Sequence, residues 1–326
     1  MNILITGGAG FLGTLLAHRL LQRGTLCGQP IDTLTLADLH PVADPGLLAD
    51  RRVKRDAGDL LERLESLMAG NHDAVFHLAS AVSGECEADF ALGLRSNLEA
   101  TRRLLEALRA QQARTGQAPL FFFASSVAVY GGDEAVPLPP VVRDDTLPTP
   151  QSSYGIQKFI CEQLVADYTR KGYIDGRAAR LMTVSVRPGR SNGAASGFLS
   201  GIVREPLAGI DAICPVDPST AVALASPDTT ISGILRVAEA SRAEFGGRTA
   251  LNLPALSVTV AEMLQALERS AGQAVAARVT VKPDAAVARI VGGWPSRFES
   301  ERARRLGLQA DASFDAVIAQ FRALAR

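Results

Sequence analysis

The chain has 326 residues, 47% of them hydrophobic, and its 34 Lys plus Arg balance 34 Asp plus Glu. A formal net charge of zero gives no field that favours nucleic acid or an anionic membrane, so the expected partners are small molecules. The four cysteines, Cys27, Cys86, Cys161 and Cys214, stand far apart without metal-ligand spacing, which reads as reduced thiols, no metal and a cytoplasmic location. No basic leader precedes the first strand pattern, and no apolar run reaches the roughly 18 residues of a membrane span.

The opening Ile3-Leu4-Ile5 is short, β-branched and continuous, as a strand buried on both faces of a parallel sheet should be. A glycine turn follows. Leu12, Leu15, Leu16 and Leu20 then recur at helical spacing over residues 11–23, and Gly24 supplies a stop. The alternation repeats, with strands predicted at about 33–37, 53–56, 74–79, 120–125 and 181–187, and helices at about 60–68, 86–114 and 154–171. Residues 137–150 are proline-rich and read as a loop. After Arg187-Pro188-Gly189 the pattern loosens into Ser, Asn, Gly and Ala, which suits a surface segment over a ligand cleft. A helix over about 227–240, a short strand at 250–253 and a last helix with Phe314, Val317, Ile318, Phe321 and Leu324 on one stripe complete the chain. Strands alternating with helices imply right-handed crossovers, and so an α/β fold with a doubly wound parallel sheet of Rossmann type. The length calls for a dinucleotide-binding domain of residues 1–188, completed by about 215–253. A smaller interleaved substrate domain is expected over 189–214 and 254–326.

Gly7, Gly10 and Gly13 fall at three-residue intervals between the first strand and the first helix. Gly7 allows the tight turn, Gly10 lets the backbone approach a pyrophosphate, and Gly13 permits close helix-on-strand packing. The N–H groups at the helix start, around Phe11, Leu12 and Gly13, then meet the phosphate charge. Asp38 ends the second strand, where a carboxylate can accept both ribose hydroxyls of NAD and repel the extra phosphate of NADP; no Arg or Lys follows it directly, so NAD is expected. The alternative for Asp38 is a turn aspartate capping the next element. Asp59 and Leu60 follow the third strand and flank the adenine, unless Asp59 serves only as a helix cap.

Tyr154 and Lys158 form an i, i+4 pair that puts phenol and ammonium on one helix face. A free tyrosine has a pKa near ~10 and needs a neighbouring positive charge to act as a base; lowering it by ~3 units takes about 4 kcal/mol, which a close ammonium plus a charged nicotinamide can supply. The strand ending Phe121-Phe122-Phe123-Ala124-Ser125-Ser126 delivers two hydroxyls to the ligand-binding edge. Ser126 can hold a substrate oxygen while Tyr154 takes the hydroxyl proton and hydride leaves for the nicotinamide.

These residues resemble the extended short-chain dehydrogenase/reductases, whose SSxxVYG is matched by Ser-Ser-Val-Ala-Val-Tyr-Gly from Ser125. The resemblance implies Ser126, Tyr154 and Lys158 as the catalytic set, with Lys158 also holding the nicotinamide ribose. It likens His77-Leu78-Ala79-Ser80 to the family's strand end along the cofactor, and Asn97 with Thr101 to its NxxxT. It also draws Pro188 toward the cofactor. Asn97 can equally be a structural amide bonding a neighbouring strand. Val82-Ser83-Gly84-Glu85 and the stretches PQSSYGIQK, RPGRSN, REPLAG and LNLPALSVTVAEM, from Pro150, Arg187, Arg204 and Leu251, are similar to one branch. That branch oxidises a four-carbon sugar acid at its 2-hydroxyl with NAD. Ser191 and Gly193 depart from the branch's RPGKPNA form.

A small sugar acid needs a cation for its carboxylate and short polar groups for its alcohols. Ser83, Arg190, Asn192, Ser196 and Arg204 are the candidates, although either arginine can instead be spent in an ion pair. Two rivals share the fold: a nucleotide-sugar epimerase and a non-catalytic NAD-binding scaffold. A 4,6-dehydratase fits poorly, because Val127 and Ala128 follow Ser126 where that chemistry wants an acidic pair. The helices near 97–110 and 154–168 carry Leu98, Leu104, Leu105, Leu108, Phe159, Ile160, Leu164 and Val165. The family resemblance implies a homodimer through these helices; packing on the sheet uses some of the same residues.

Overall fold

The computed structural model describes residues 1–189 and 194–324. Seven strands form the central sheet: β1 (Asn2–Thr6), β2 (Thr33–Asp38), β3 (Val53–Ala57), β4 (Ala74–His77), β5 (Leu120–Ser126), β6 (Asp175–Leu181) and β7 (Leu251–Asn252). They lie in the order β7-β6-β5-β4-β1-β2-β3, every pair parallel. The chain runs one way from β1 to β3 and the other from β4 to β7, so the winding reverses beside β1 and opens a crevice at the strands' carboxyl ends.

Alternation along each strand feeds two apolar layers. Ile3, Ile5, Phe76 and Phe122 pack under helix α1 (Phe11–Arg23) and a helix over Pro227–Glu239. Leu4, Val75, Phe121 and Phe123 face the opposite way, against Leu104, Leu105 and Leu108 of α2 (Ala100–Thr115) and Cys161 and Val165 of α3 (Ser153–Arg170). Helix α1 stops where Gly24 turns left-handed at φ +68 and its N–H reaches the Leu20 carbonyl. A further cluster gathers Val186, Leu199, Ile202, Met263, Leu267, Val317 and Ile318, and includes Val216, Val222 and Leu224 from the middle of the chain.

Two expectations are corrected. The strand read at 181–187 ends at Leu181, and only Thr183–Val184 continues as a short pairing with Ala221–Ala225. Its true sequence, Asp-Gly-Arg-Ala-Ala-Arg-Leu, looks too polar for a central strand, yet Arg177 and Arg180 are buried in it. Arg177 is satisfied by Asp175 and the Ala240 carbonyl, and Arg180 by Glu162, 18 residues upstream. The helix read as continuous over 86–114 is instead broken at Asp89, whose Oδ1 accepts the Leu92 N–H at 2.9 Å, and passes through a π-helical turn at Leu94–Glu99.

Candidate active site

The crevice holds a cavity of about 610 Å³ whose wall runs from Asp38 and Asp59 at one end, past Ser126, Tyr154 and Lys158, to Arg187, Ser196 and Trp294 at the other.

At the first end the glycine turn is fixed by close approach. Gly7 has φ +75, and a Cβ there would lie 2.8 Å from the Ala79 nitrogen; a Cβ on Gly13 would lie 2.1 Å from the Gly7 oxygen. Gly10 is exposed and begins α1 with no side chain capping the first turn. The helix start therefore opens on the cavity as a backbone cradle for a phosphate. Asp38 braces the turn: its Oδ2 accepts the Ala9 N–H and its Oδ1 the His40 N–H, each at 3.0 Å. Phe11, Leu12, Leu60, Leu78, Ala79 and Ser80 complete this wall.

At the centre, α3 is seated by its own small residues. Ser152 caps it, accepting the Gly155 N–H at 3.1 Å, and a Cβ on Gly155 would meet the Ala128 oxygen at 2.0 Å. That contact sets Tyr154 beside the end of β5. Lys158, 3% exposed, donates to the Ala124 carbonyl at 2.9 Å and lies 4.9 Å from the Phe123 ring centroid. Burial pushes its ammonium down to about 8. Beneath it, His77 bonds Thr6 at 2.6 Å and Thr101 at 2.9 Å, and burial, aided by the Lys158 charge, holds it neutral, its pKa lowered to about 3.

The phenol departs from expectation. Burial pushes Tyr154 up to about 12; the Ser126 and Ser80 hydroxyls and the Arg187 charge only partly oppose this. Lys158 turns its ammonium to the Ala124 carbonyl and sits 5.6 Å from the Tyr154 ring centroid. The chain's own groups thus keep this phenol protonated at neutral pH.

Behind Lys158 lies a polar network with no counterpart in the sequence reading. Ser125 donates to Glu162 at 2.5 Å, Glu162 is gripped twice by Arg180 at 2.9 and 2.7 Å, and Arg180 bonds the Tyr130 hydroxyl, which donates to Asn252 at 3.0 Å. Glu162 follows Lys158 by one helical turn, and the network ties α3 to β5, β6 and β7.

Several expected residues stand elsewhere. Asn97 is 3% exposed and away from the cavity; its Oδ1 accepts from Ala81 N at 2.8 Å and Ser80 Oγ at 3.0 Å, and its amide donates to Gln157. It is the structural amide, holding Ser80 against the cleft. Asp59 borders the cavity but caps the following helix through Leu61 N–H and pairs with Arg95 at 2.8 Å. Pro188 is exposed, off the cavity wall. Arg204 is off it too: its guanidinium binds the Arg187 carbonyl at 2.8 Å and Glu205 at 2.5 Å. Arg190 and Asn192 lie outside the described residues. Ser83 and Ser196 do line the far end, where Ser83 Oγ accepts the Ala195 N–H at 3.4 Å.

Sequence reasoning missed Met182, Thr183, Arg187 and Trp294. Arg187 opens the quoted RPGRSN stretch and so had a signal; Trp294, over a hundred residues on, had none. Among the described residues no cluster of metal-ligating side chains occurs, all four cysteines are free, and no helix is long and apolar enough to cross a membrane.

A parallel sheet with a glycine cradle at its switch point and a Ser-Tyr-Lys group along the same wall marks a dinucleotide-dependent enzyme. The chain belongs to the NAD dependent epimerase/dehydratase family, whose model matches residues 3–219, and its cofactor is NAD. The cradle that any Cβ would fill and the Asp38 carboxylate suit that dinucleotide.

More particularly, the chain is 53% identical over 322 residues to D-erythronate dehydrogenase from Cupriavidus necator, covering 98% of this chain and 97% of that one. It is 39% identical over 326 residues to D-erythronate dehydrogenase from Haemophilus influenzae, covering 98% of each. A solved structure, described as a nucleoside-diphosphate-sugar epimerase from Agrobacterium tumefaciens, superposes with a TM-score of 0.89 at 40% identity, covering 98% of this chain and 92% of that one.

Proposed function

We propose that this protein oxidises the 2-hydroxyl of D-erythronate to 2-dehydro-D-erythronate. The reading rests on two near full-length relatives that bear the D-erythronate dehydrogenase name, and one observation carries its chemistry: Ser126, Tyr154 and Lys158 share a cavity wall with the glycine cradle.

When bound, NAD would supply the hydride acceptor and the positive charge of its nicotinamide ring. Ser126 holds the 2-hydroxyl oxygen, and its Oγ is oriented by accepting the Ala128 N–H at 3.1 Å. Tyr154 receives the hydroxyl proton as C2 gives up its hydride, leaving a 2-keto acid. Lys158, fixed on the Ala124 carbonyl, presents its remaining N–H donors to the nicotinamide ribose. Gly7, Gly10, Phe11, Leu12 and Gly13 would hold the pyrophosphate, Asp38 the adenosine ribose, and Leu78, Ala79 and Ser80 the nicotinamide half. Ser83 and Ser196 receive the sugar-acid hydroxyls. Because Tyr154 must shed its own proton first, turnover rises with pH.

The parallel sheet and its two layers make the dinucleotide-binding domain, and the cluster around Leu199, Met263 and Val317 the substrate domain. The four free cysteines fit the reducing cytoplasm, and an NADH-yielding oxidation fits catabolism of sugar acids. We place a homodimer contact on α3 and the adjoining Phe90–Gly93 turn, where Ile156, Ile160 and Phe90 are exposed at 46, 39 and 62%. Leu104, Leu105, Leu108 and Val165 are buried in the core and take no part.

The test mixes protein and NAD with a panel of four- and six-carbon sugar acids and follows NADH absorbance. Net NADH with D-erythronate is the expected result. Conversion of a UDP-sugar without net NADH would favour an epimerase, as the Agrobacterium structure's description suggests, and cofactor affinity without turnover a scaffold.

A further inference from the structure

We propose that Arg187, and not Arg204, is the cation that binds the substrate carboxylate; this deepens, and rests on, the sugar-acid reading above.

Arg95 and Arg63 border the cavity at its adenosine end, and each is already paired, with Asp59 at 2.8 Å and Asp56 at 2.6 Å. Lys158 donates to the Ala124 carbonyl and, in the reading above, serves the cofactor ribose with its remaining donors. Arg204 is spent on Glu205 and the Arg187 carbonyl. Arg187 differs: its N–H donates to Ser200 Oγ at 3.0 Å and its carbonyl accepts from Arg204, so its backbone is clamped from both sides. Its guanidinium has no hydrogen-bond or ion-pair partner among the described residues, although it is half-buried on the cavity wall.

A half-buried guanidinium without a counter-ion pays desolvation with nothing returned, and Arg204 beside it adds like-charge repulsion; both depress its pKa. Such an arrangement is relieved by an anion entering from the cavity. Its position selects which anion. Arg187 and Tyr154 line the same cavity, and each charge acts on the other group. In a 2-hydroxy acid the carboxylate is one carbon–carbon bond from the carbon that loses hydride. A cation that neighbours the proton acceptor is therefore where the carboxylate of such a substrate falls. The planar fork of Arg187 can take both carboxylate oxygens at once and so fix the face that C2 presents.

Two readouts test this. The first is binding without turnover: Trp294, the single tryptophan of the chain, lies on the same wall, so its fluorescence in the NAD complex reports oxalate or malonate entering the cavity. Saturable quenching is expected in the unmodified enzyme, weakened on the order of 10²-fold by Arg187→Gln and less by Arg187→Lys. The second is steady-state kinetics with D-erythronate and its neutral amide. Arg187→Gln should raise KM for the acid on the order of 10²-fold, leave the amide within about 3-fold, and keep NAD affinity, which also checks folding.

Equal quenching in Arg187→Gln, no quenching by either carboxylate in the unmodified enzyme, or an unchanged KM for the acid would overturn the assignment. If carboxylate binding depends on Arg187 but no sugar acid is oxidised, the anion site stands and the dehydrogenase reading falls. If D-erythronate is oxidised and Arg187→Gln leaves its KM unchanged, the reading stands and the Arg187 assignment falls.

Discussion

The two ends of the cleft are built on different principles. The dinucleotide end is made of backbone: a left-handed Gly7, a Gly13 with no room for a Cβ, and a carboxylate whose two oxygens brace the turn. The other end, where the sugar acid is proposed to bind, is made of side chains brought from four separate stretches, around Ser83, Tyr154, Arg187 and Trp294. A backbone cradle serves one invariant partner, the pyrophosphate, and is fixed by local sterics. A side-chain pocket can be refitted residue by residue, which is how one fold comes to serve both the epimerases and the dehydrogenases it resembles.

The largest expected effect separates the ends. Tyr154→Phe should lower kcat by about 10²–10⁴-fold while NAD affinity stays within about 3-fold. Equal loss of both, measured by steady-state kinetics and calorimetry, would mean that the phenol holds the cofactor and that the division into two ends is wrong.

The floor common to both ends comes next. Glu162→Gln leaves Arg180 charged and buried without its carboxylate, a loss of about 3–5 kcal/mol of stability in urea unfolding. The same measurement on Asp315→Asn, which breaks the exposed pair with Arg269, should find less than about 1 kcal/mol. Comparable losses would show that the Glu162–Arg180 pair is not a strut between the ends.

Gly13→Ala sharpens the contrast from the other side. Its Cβ cannot fit against the Gly7 oxygen, so the turn must shift; about 1.4–2.7 kcal/mol of NAD affinity should go, a rise in Kd of roughly 10- to 100-fold. At saturating NAD the KM for the sugar acid should hold.

Acid has the smallest effect, and its sign follows from His77. The folded pKa is lowered to about 3 from an ordinary value of 6.5, so the stability that depends on a neutral ring is complete above pH 6.5. It is lost as pH falls from 6.5 toward 3, because the unfolded chain takes up the proton first; by pH 5 the loss is about 2 kcal/mol. Unfolding midpoints should fall from pH 7 to pH 5 and fall less steeply in His77→Asn. An identical slope in both would remove His77 from the account.

The sequence was legible where a constraint is local. The glycine spacing, the i, i+4 Tyr154–Lys158 pair and the Gly24 stop each act within a few residues, and the structure puts all of them where the spacing indicates. Strand β6 was not legible, because two arginines read as polar until Glu162 and Asp175 neutralise them. Asn97 and Arg204 were left with two readings each for the same reason: whether an amide or a guanidinium faces a ligand or a neighbour depends on partners that spacing does not reveal.

By itself, then, the sequence determined a parallel α/β sheet, a dinucleotide cradle and a serine, tyrosine and lysine on one path, since short-range sterics and helical periodicity are written in adjacent residues. Only the tertiary structure decided which charges are consumed inside the protein and which remain available to a ligand. That distinction is made by burial and pairing between residues far apart in the chain, and it is what sets Arg187 apart from Arg204.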